Sequence, residues 1–307
     1  MNFSLLKTLC SIHAPSGSEY KMTEFLLAYI KKESKKWKVK PKVLAGDGFQ
    51  DAIVLVFGKP KAAIFAHIDS IGYTVGYANN LIKIGGPASK SGFKLVGEDR
   101  KGPIECRLHV DKDRNISYLG KREIERGTTL TFKPDFREDE DYIQSCYLDN
   151  RLGMWVALKT AETLENGIIA FSTYEEHGGG TAQVIAKYIY EKLKVHQALI
   201  CDITWVTSGV QHGNGVAFSM RDSGVPRRTY LNKLKSILDK GKVIYQIEVE
   251  SAGGSDGNVL QNSPYPFDWC FIGAPEDSVH TPNEKVAIVD IQHMLKAYKI
   301  LMKELNK

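Results

Sequence analysis

Two short stretches, residues 52–57 and 62–66, are apolar at nearly every position. A strand with one wet face alternates apolar and polar side chains, whereas a strand covered on both faces need not. Such runs confine the chain to a layered α/β arrangement, with helices on both sides of a mostly parallel sheet. The second run ends in Ala66-His67-Ile68-Asp69, which puts an imidazole and a carboxylate at the carboxyl lip of a buried strand. Active sites of open α/β sheets form at that lip.

The same pattern recurs downstream. Residues 168–173 read as a strand running into Glu175-Glu176, residues 197–201 as a strand ending at Asp202, and residues 267–272 as a strand before His280. Helical spacing of apolar residues marks 18–36, 152–164, 182–193 and 288–305, with Asp149-Asn150-Arg151 at the start of the second of these. Between about 71 and 145 the texture changes to short β-prone pieces separated by Gly-rich and charged turns such as Gly85-Gly86-Pro87. This reads as a small β domain, residues 71–145, inserted into a larger catalytic domain of residues 1–70 and 146–307.

Each residue at these strand ends has an ordinary explanation when taken singly. Asp149 can cap a helix, Asp202 can end a strand, His280 can sit in a loop, and Glu175-Glu176 can form a solvated acidic turn. Their recurrence at successive strand ends points to a shared site. Two histidines and several carboxylates, with no cysteine, suit a borderline or hard divalent cation: zinc, with cobalt or manganese as alternatives. One carboxylate more than a single tetrahedral ion needs implies two ions sharing a bridge. In adjacent carboxylates one can ligate while its neighbour acts as general base. Asp69, two positions from His67 and on the same side, can hold the other ring nitrogen.

Composition excludes several other classes. Hydrophobic content of 43% and charged content of 25% over 307 residues are those of a globular protein with a large core. No apolar run approaches the roughly 20 residues of a membrane span, and the first residues lack the pattern of a signal peptide. Five scattered cysteines without a CxxC pair fit reduced thiols, and a cytoplasmic protein is expected. Much of the net charge of +5 lies in the lysines between Lys31 and Lys42. These read as the solvated end of a helix running into an exposed strand, so no nucleic-acid partner is expected.

Taken together, Ala66-His67-Ile68-Asp69-Ser70-Ile71-Gly72, Asp149-Asn150-Arg151, Glu175-Glu176-His177-Gly178, Asp202 and His280-Thr281-Pro282 occur in family order. They resemble the co-catalytic metallo-aminopeptidases of the tetrahedral-aminopeptidase and glutamyl-aminopeptidase family. The turn Ala14-Pro15-Ser16-Gly17-Ser18-Glu19 resembles that family's N-terminal turn. The resemblance implies a zinc-exopeptidase fold with an inserted β-barrel, two metal ions, peptide substrates with a free N-terminus, and a homo-oligomer. It implies that Asp149 bridges the metals, that Glu176 and His280 complete one site, and that His67 and Asp202 complete the other. Glu175 would be the base and Asp69 would orient His67. Thr181-Ala182 and Asp47-Gly48-Phe49-Gln50-Asp51 depart from the family's usual residues, and the inserted segment is shorter than in typical members.

The loop Ser251-Ala252-Gly253-Gly254-Ser255-Asp256-Gly257 resembles a Gly-rich loop near that active site, which makes Asp256 a candidate substrate contact. His13, His177 and His212 lie near motifs and read as structural or exposed. The rival readings are a deacylase or carboxypeptidase-type amidohydrolase on the same scaffold, and a non-catalytic scaffold protein. A cellulase needs two carboxyl groups across a sugar and no metal, which the Glu pair does not suit.

Overall fold

The computed structural model describes residues 1–307. Its large sheet has a parallel centre: Gly167–Ser172 pairs with Ala63–His67, which pairs with Gln197–Trp205, which pairs with Asp268–Asp277. The flanks are antiparallel. Lys42–Gly46 and Gln50–Phe57 extend one edge, and Glu284–Ala287, Tyr142–Ser145 and Arg137–Glu138 extend the other. The sheet is therefore mixed: the central strands run parallel, as does the off-centre pair Val216–Arg221 and Tyr245–Val249, and the remaining pairings are antiparallel. The last two strands fall within residues 71–145 yet belong to the large sheet. A separate six-stranded sheet is built from residues 72–132.

Alternation divides the central strands between two cores. Ile53, Leu55, Ile64, Ala66, Leu199 and Cys201 face the larger one, which is covered by the helices Tyr20–Glu33, Leu148–Ala161, Arg228–Lys240 and Ile288–Leu305. Val54, Phe65, Ala198 and Ile200 face a smaller one under the helix Thr181–Leu193. Burial on both faces explains why these strands read as unbroken apolar runs. All five cysteines are buried, and no helix is long and apolar enough to cross a membrane.

Some boundaries differ from the sequence reading. The strand expected to end at Asp202 continues to Trp205, because its neighbour Asp268–Asp277 pairs with it as far as Trp205↔Glu276. Asp202 thus projects from within a strand. The exposed strand expected after the lysine-rich helix end begins at Lys42, after Pro41.

The N-terminal turn ties the two sheets together. Ser16 N–H donates to Ser70 O and Ser70 N–H to Ala14 O, which holds the turn under the segment following His67. His13 lies between the sheets, its Nδ1 3.0 Å from the Thr131 hydroxyl and its Nε2 2.9 Å from the Thr129 hydroxyl. Burial, with Lys21 and Arg151 nearby, pulls its pKa down to about 4. A histidine held neutral in the folded state stabilises fully above its unfolded pKa of about 6.5, and that contribution is lost as pH falls toward 4. Between pH 7 and 4.5 the wild type should lose on the order of 2 kcal/mol more stability than His13→Gln in urea unfolding. Parallel losses in the two proteins would show that His13 titrates normally.

Candidate metal centre

Register brings the site residues together. His67 pairs with Ser172 on one side, and Ile200↔Phe65 on the other side, continued by two residues, sets Asp202 beside His67. The chain then turns sharply at each contributing loop: Tyr147, Tyr174 and His280 all take left-handed backbone angles, with φ of 67°, 64° and 64°. Side chains rarely adopt this region, and its concentration beside a crevice is typical of functional sites.

Asp149 lies at the middle of the crevice. Its Oδ1 is 3.1 Å from His67 Nε2 and its Oδ2 is 3.3 Å from His280 Nε2. His67 Nε2 also lies 3.5 Å from Asp202 Oδ2, and His280 Nε2 lies 3.1 Å from Glu176 Oε2. Glu175 Oε2 stands 3.9 Å from His67 Nε2. The sequence-derived residues therefore form two groups that share Asp149. Within His67, Asp149 and Asp202, and again within Asp149, Glu176 and His280, candidate ligand atoms all lie within 4.8 Å of one another.

Asp69 is fully buried, with Oδ1 3.4 Å from His67 Nδ1. It also accepts the backbone N–H groups of Glu175 and Glu176, each at 3.1 Å, and the Ser16 hydroxyl at 2.6 Å. Burial opposes its charge, but His67 and these donors outweigh that and keep its pKa low. Asp256 occupies a different place from the one expected. It opens the helix Asp256–Asn262, capped by Ser255, and is buried beneath the crevice, where the Ser172 hydroxyl donates to it. Of the other histidines, His177 accepts the Gly85 N–H at 3.0 Å and His212 sits 3.0 Å from Asp277. Neither they nor His13 line the cleft.

Burial is the main influence on the carboxylates. It raises the pKa of Glu175, with Asp202 and Glu176 adding to the rise, and it raises those of Glu176 and Asp202, to which Asp149 adds. Burial works against a charged His280 too, yet Asp149 and Glu176 carry its pKa up to about 11. Such crowding of carboxylates around two imidazoles calls for a cation. Glu176 Oε1 is buried and accepts no hydrogen bond. The N/O donor set fits a divalent ion of borderline or hard character.

The sequence of residues 108–296 matches the M42 glutamyl aminopeptidase family. The chain belongs to that family. As an M42 peptidase it is an aminopeptidase, a hydrolase of peptide bonds. Its fold is shared by an aminopeptidase of the archaeon Desulfurococcus kamchatkensis, with a TM-score of 0.85, 22% identity, and 98% of this chain and 94% of that one covered. A TET aminopeptidase from a marine-sediment Thaumarchaeota archaeon gives a TM-score of 0.87 at 15% identity, covering 99% and 97%. The TET1 peptidase of Pyrococcus horikoshii gives 0.80 at 21%, covering 98% of each chain.

Three parts of this M42 site were not legible as functional. Glu284, fully buried, accepts the His280 N–H at 3.1 Å and the Asp149 N–H at 3.3 Å, fixing a residue of each group. Ser16 braces Asp69. Gly85 and Gly86, in the connection that leaves strand Leu81–Ile84 of the small sheet, press against the crevice. Gly86 O lies 3.2 Å from His280 Nδ1, which directs Nε2 inward. Gly85 has φ +67°, and a Cβ there would lie 2.9 Å from the Glu176 carbonyl. Gly85→Ala should therefore displace Glu176 and weaken any divalent-cation binding at least about tenfold, roughly 1.4 kcal/mol, with an unchanged circular dichroism spectrum. Chelator competition measures this, and wild-type affinity in the variant would show that this connection does not shape the crevice.

Proposed function

We propose that this aminopeptidase is dinuclear, with two divalent cations, zinc or alternatively cobalt or manganese, held on either side of Asp149. His67 and Asp202 would complete one set of ligands, and Glu176 and His280 the other. The observation that carries this reading is the orientation of Asp149, whose two oxygens face different histidines at 3.1 and 3.3 Å. When bound, the metal pair supplies Lewis acidity toward the scissile carbonyl and the attacking water.

Glu175 is the side chain left over once both sets are filled, and we assign it the role of general base. It takes a proton from the attacking water and passes it to the departing amine. A carboxyl raised by burial suits a group that must both accept and return a proton. Asp69 orients His67 and, through the two N–H groups it accepts, fixes the direction in which Glu175 and Glu176 leave the backbone. Asp256 acts from below as a positioning residue through Ser172.

The substrate in this reading is a peptide with a free N-terminus. The Pyrococcus horikoshii peptidase is described as assembling into a tetrahedron or a large octahedral shell, and a homo-oligomer is proposed here too. Five buried cysteines accord with a cytoplasmic location.

Glu175→Gln should retain its zinc and lose at least about a hundredfold in kcat on an aminoacyl anilide, and chelation should abolish wild-type turnover. A Glu175→Gln enzyme close to wild-type activity would remove Glu175 from the chemistry. Acetylating the substrate's α-amine should also stop hydrolysis. Release of acetate from the acetylated peptide, with the free peptide left intact, would instead indicate a deacylase.

A further inference from the structure

From the metal centre the cleft opens into a cavity of about 570 Å³, walled in part by the Gly-rich loop Ala252 to Ser255. Asp149, Glu175 and Asp202 form its inner end. Its outer wall comes from residues 203–207, 222 and 248–259. Alternation along the edge strand Tyr245–Val249 and into the next residue turns Glu248 and Glu250 into the cavity. Ile247 and Val249 line a separate depression on the opposite face, together with Arg221. Asp222, which follows the neighbouring strand Val216–Arg221, completes a row of three carboxylates.

No lysine or arginine lines this cavity, and its sole histidine is His280. Glu248 is 3% exposed and Asp222 is 8% exposed. The bonds they accept come from neutral groups: the Thr204 hydroxyl for Glu248, and the Gly224 N–H at 2.6 Å for Asp222. Burial pushes the Glu248 carboxyl up, and the charges of Asp222 and Glu250 add to the rise. Arg221, which lines the opposite face, is a cation beside Asp222, and buried carboxylates facing an open cavity with no cation in its lining accommodate one there. The metals of the proposed centre do not supply it. By formal charge, two divalent ions are offset by Asp149, Glu176, Asp202 and Glu175, which leaves the outer wall at three negative charges.

The remaining lining says what kind of cation fits. Phe271 and Val259 offer apolar surface for an alkyl stem, and Trp205, 45% exposed at the rim, offers an indole face to a cationic head. Asp202 and Thr204 lie two residues apart on one face of one strand, about 7 Å. A side chain starting at the metal centre and ending at Glu248 therefore needs a stem of about four carbons.

We propose that this cavity receives the side chain of the substrate's N-terminal residue and selects lysine or arginine, with Glu248, Glu250 and Asp222 as the specificity-determining groups. This rests on the aminopeptidase reading for the placement of the free amine, and it names a substrate class opposite in charge to a glutamyl residue.

Calorimetry on the zinc-loaded protein tests the pocket without requiring turnover. L-lysinamide should bind at least tenfold tighter than L-norleucinamide, which has the same stem without the ammonium, and glutamic acid α-amide should bind weakest. Glu248→Gln should reduce the lysine-to-norleucine ratio several-fold, and Glu250→Lys, at a half-buried and more tolerant position, should bring it to about one. Equal binding of lysinamide and norleucinamide, tighter binding of the glutamic acid amide, or a ratio unmoved in Glu250→Lys overturns the proposal. Lysyl, leucyl and glutamyl anilides assayed in parallel separate the two readings. A lysinamide preference without hydrolysis of any anilide keeps the pocket and removes the peptidase. Hydrolysis without that preference does the reverse.

Discussion

Negative charge confined in a space with little water governs this molecule. Asp69, Asp149, Glu176, Asp202 and Glu284 have side chains almost withdrawn from solvent, with Glu175 beside them. The one fixed cation in their midst is Arg151, fully buried and donating to the Ile68 carbonyl, its own pKa lowered by burial. Carboxylates packed this way cannot all ionise without imported positive charge. The scaffold answers with donors rather than with salt bridges: backbone N–H groups converge on Asp69 and Glu284, and the two imidazoles converge on Asp149. An arrangement rigid enough to hold these groups together despite their repulsion is one that binds a divalent cation strongly, because binding relieves the repulsion.

The part of this design legible in the sequence is the part carried by local pattern. His67, Asp149, Glu175, Glu176 and His280 could be singled out because each follows or opens an element whose periodicity is plain. Asp202 was recognisable as well, although its strand runs on to Trp205 under the influence of a partner some 70 residues later in the chain. Glu284, Ser16 and Gly85 could not be recognised as site residues. Ser16 and Gly85 lie in turns that the sequence marks, but their roles, like that of Glu284, exist only once chain segments far apart are brought together. Asp256 shows the converse error, since a Gly-rich loop near the cleft suggested contact with substrate while the capped helix turns that carboxylate inward under Ser172. The helix Arg228–Lys240 was readable but passed over: Tyr230, Leu231, Leu234 and Leu238 recur at helical spacing and are its buried face.

The small sheet has its own buried cluster, around Tyr73, Leu95, Leu130 and Phe132, which Cys146 and Tyr147 of the large domain complete. Polar contacts also join it to the rest. His13 reaches the Thr129 and Thr131 hydroxyls, the Gly85 N–H meets His177, and Gly86 meets His280. Hydrogen bonds specify direction where apolar contacts tolerate sliding. A joint of this kind holds Gly85 and Gly86 against the crevice, where a Cβ at Gly85 would meet the Glu176 carbonyl.

The extension of the Asp202 strand past its expected end links the chemistry to selectivity. Had the strand stopped at Asp202, Thr204 would have no fixed position from which to hold Glu248, and Trp205 would not reach the rim. Because parallel pairing with Asp268–Asp277 persists to Trp205, one rigid strand carries both a residue of the metal crevice and the anchor of the acidic wall. The distance between them is then set by the rise of a β-strand rather than by loop conformation. A substrate held at its amine by one end of this ruler presents its side chain to the other end, so the length it favours follows from backbone geometry and the charge it favours follows from Glu248, Glu250 and Asp222.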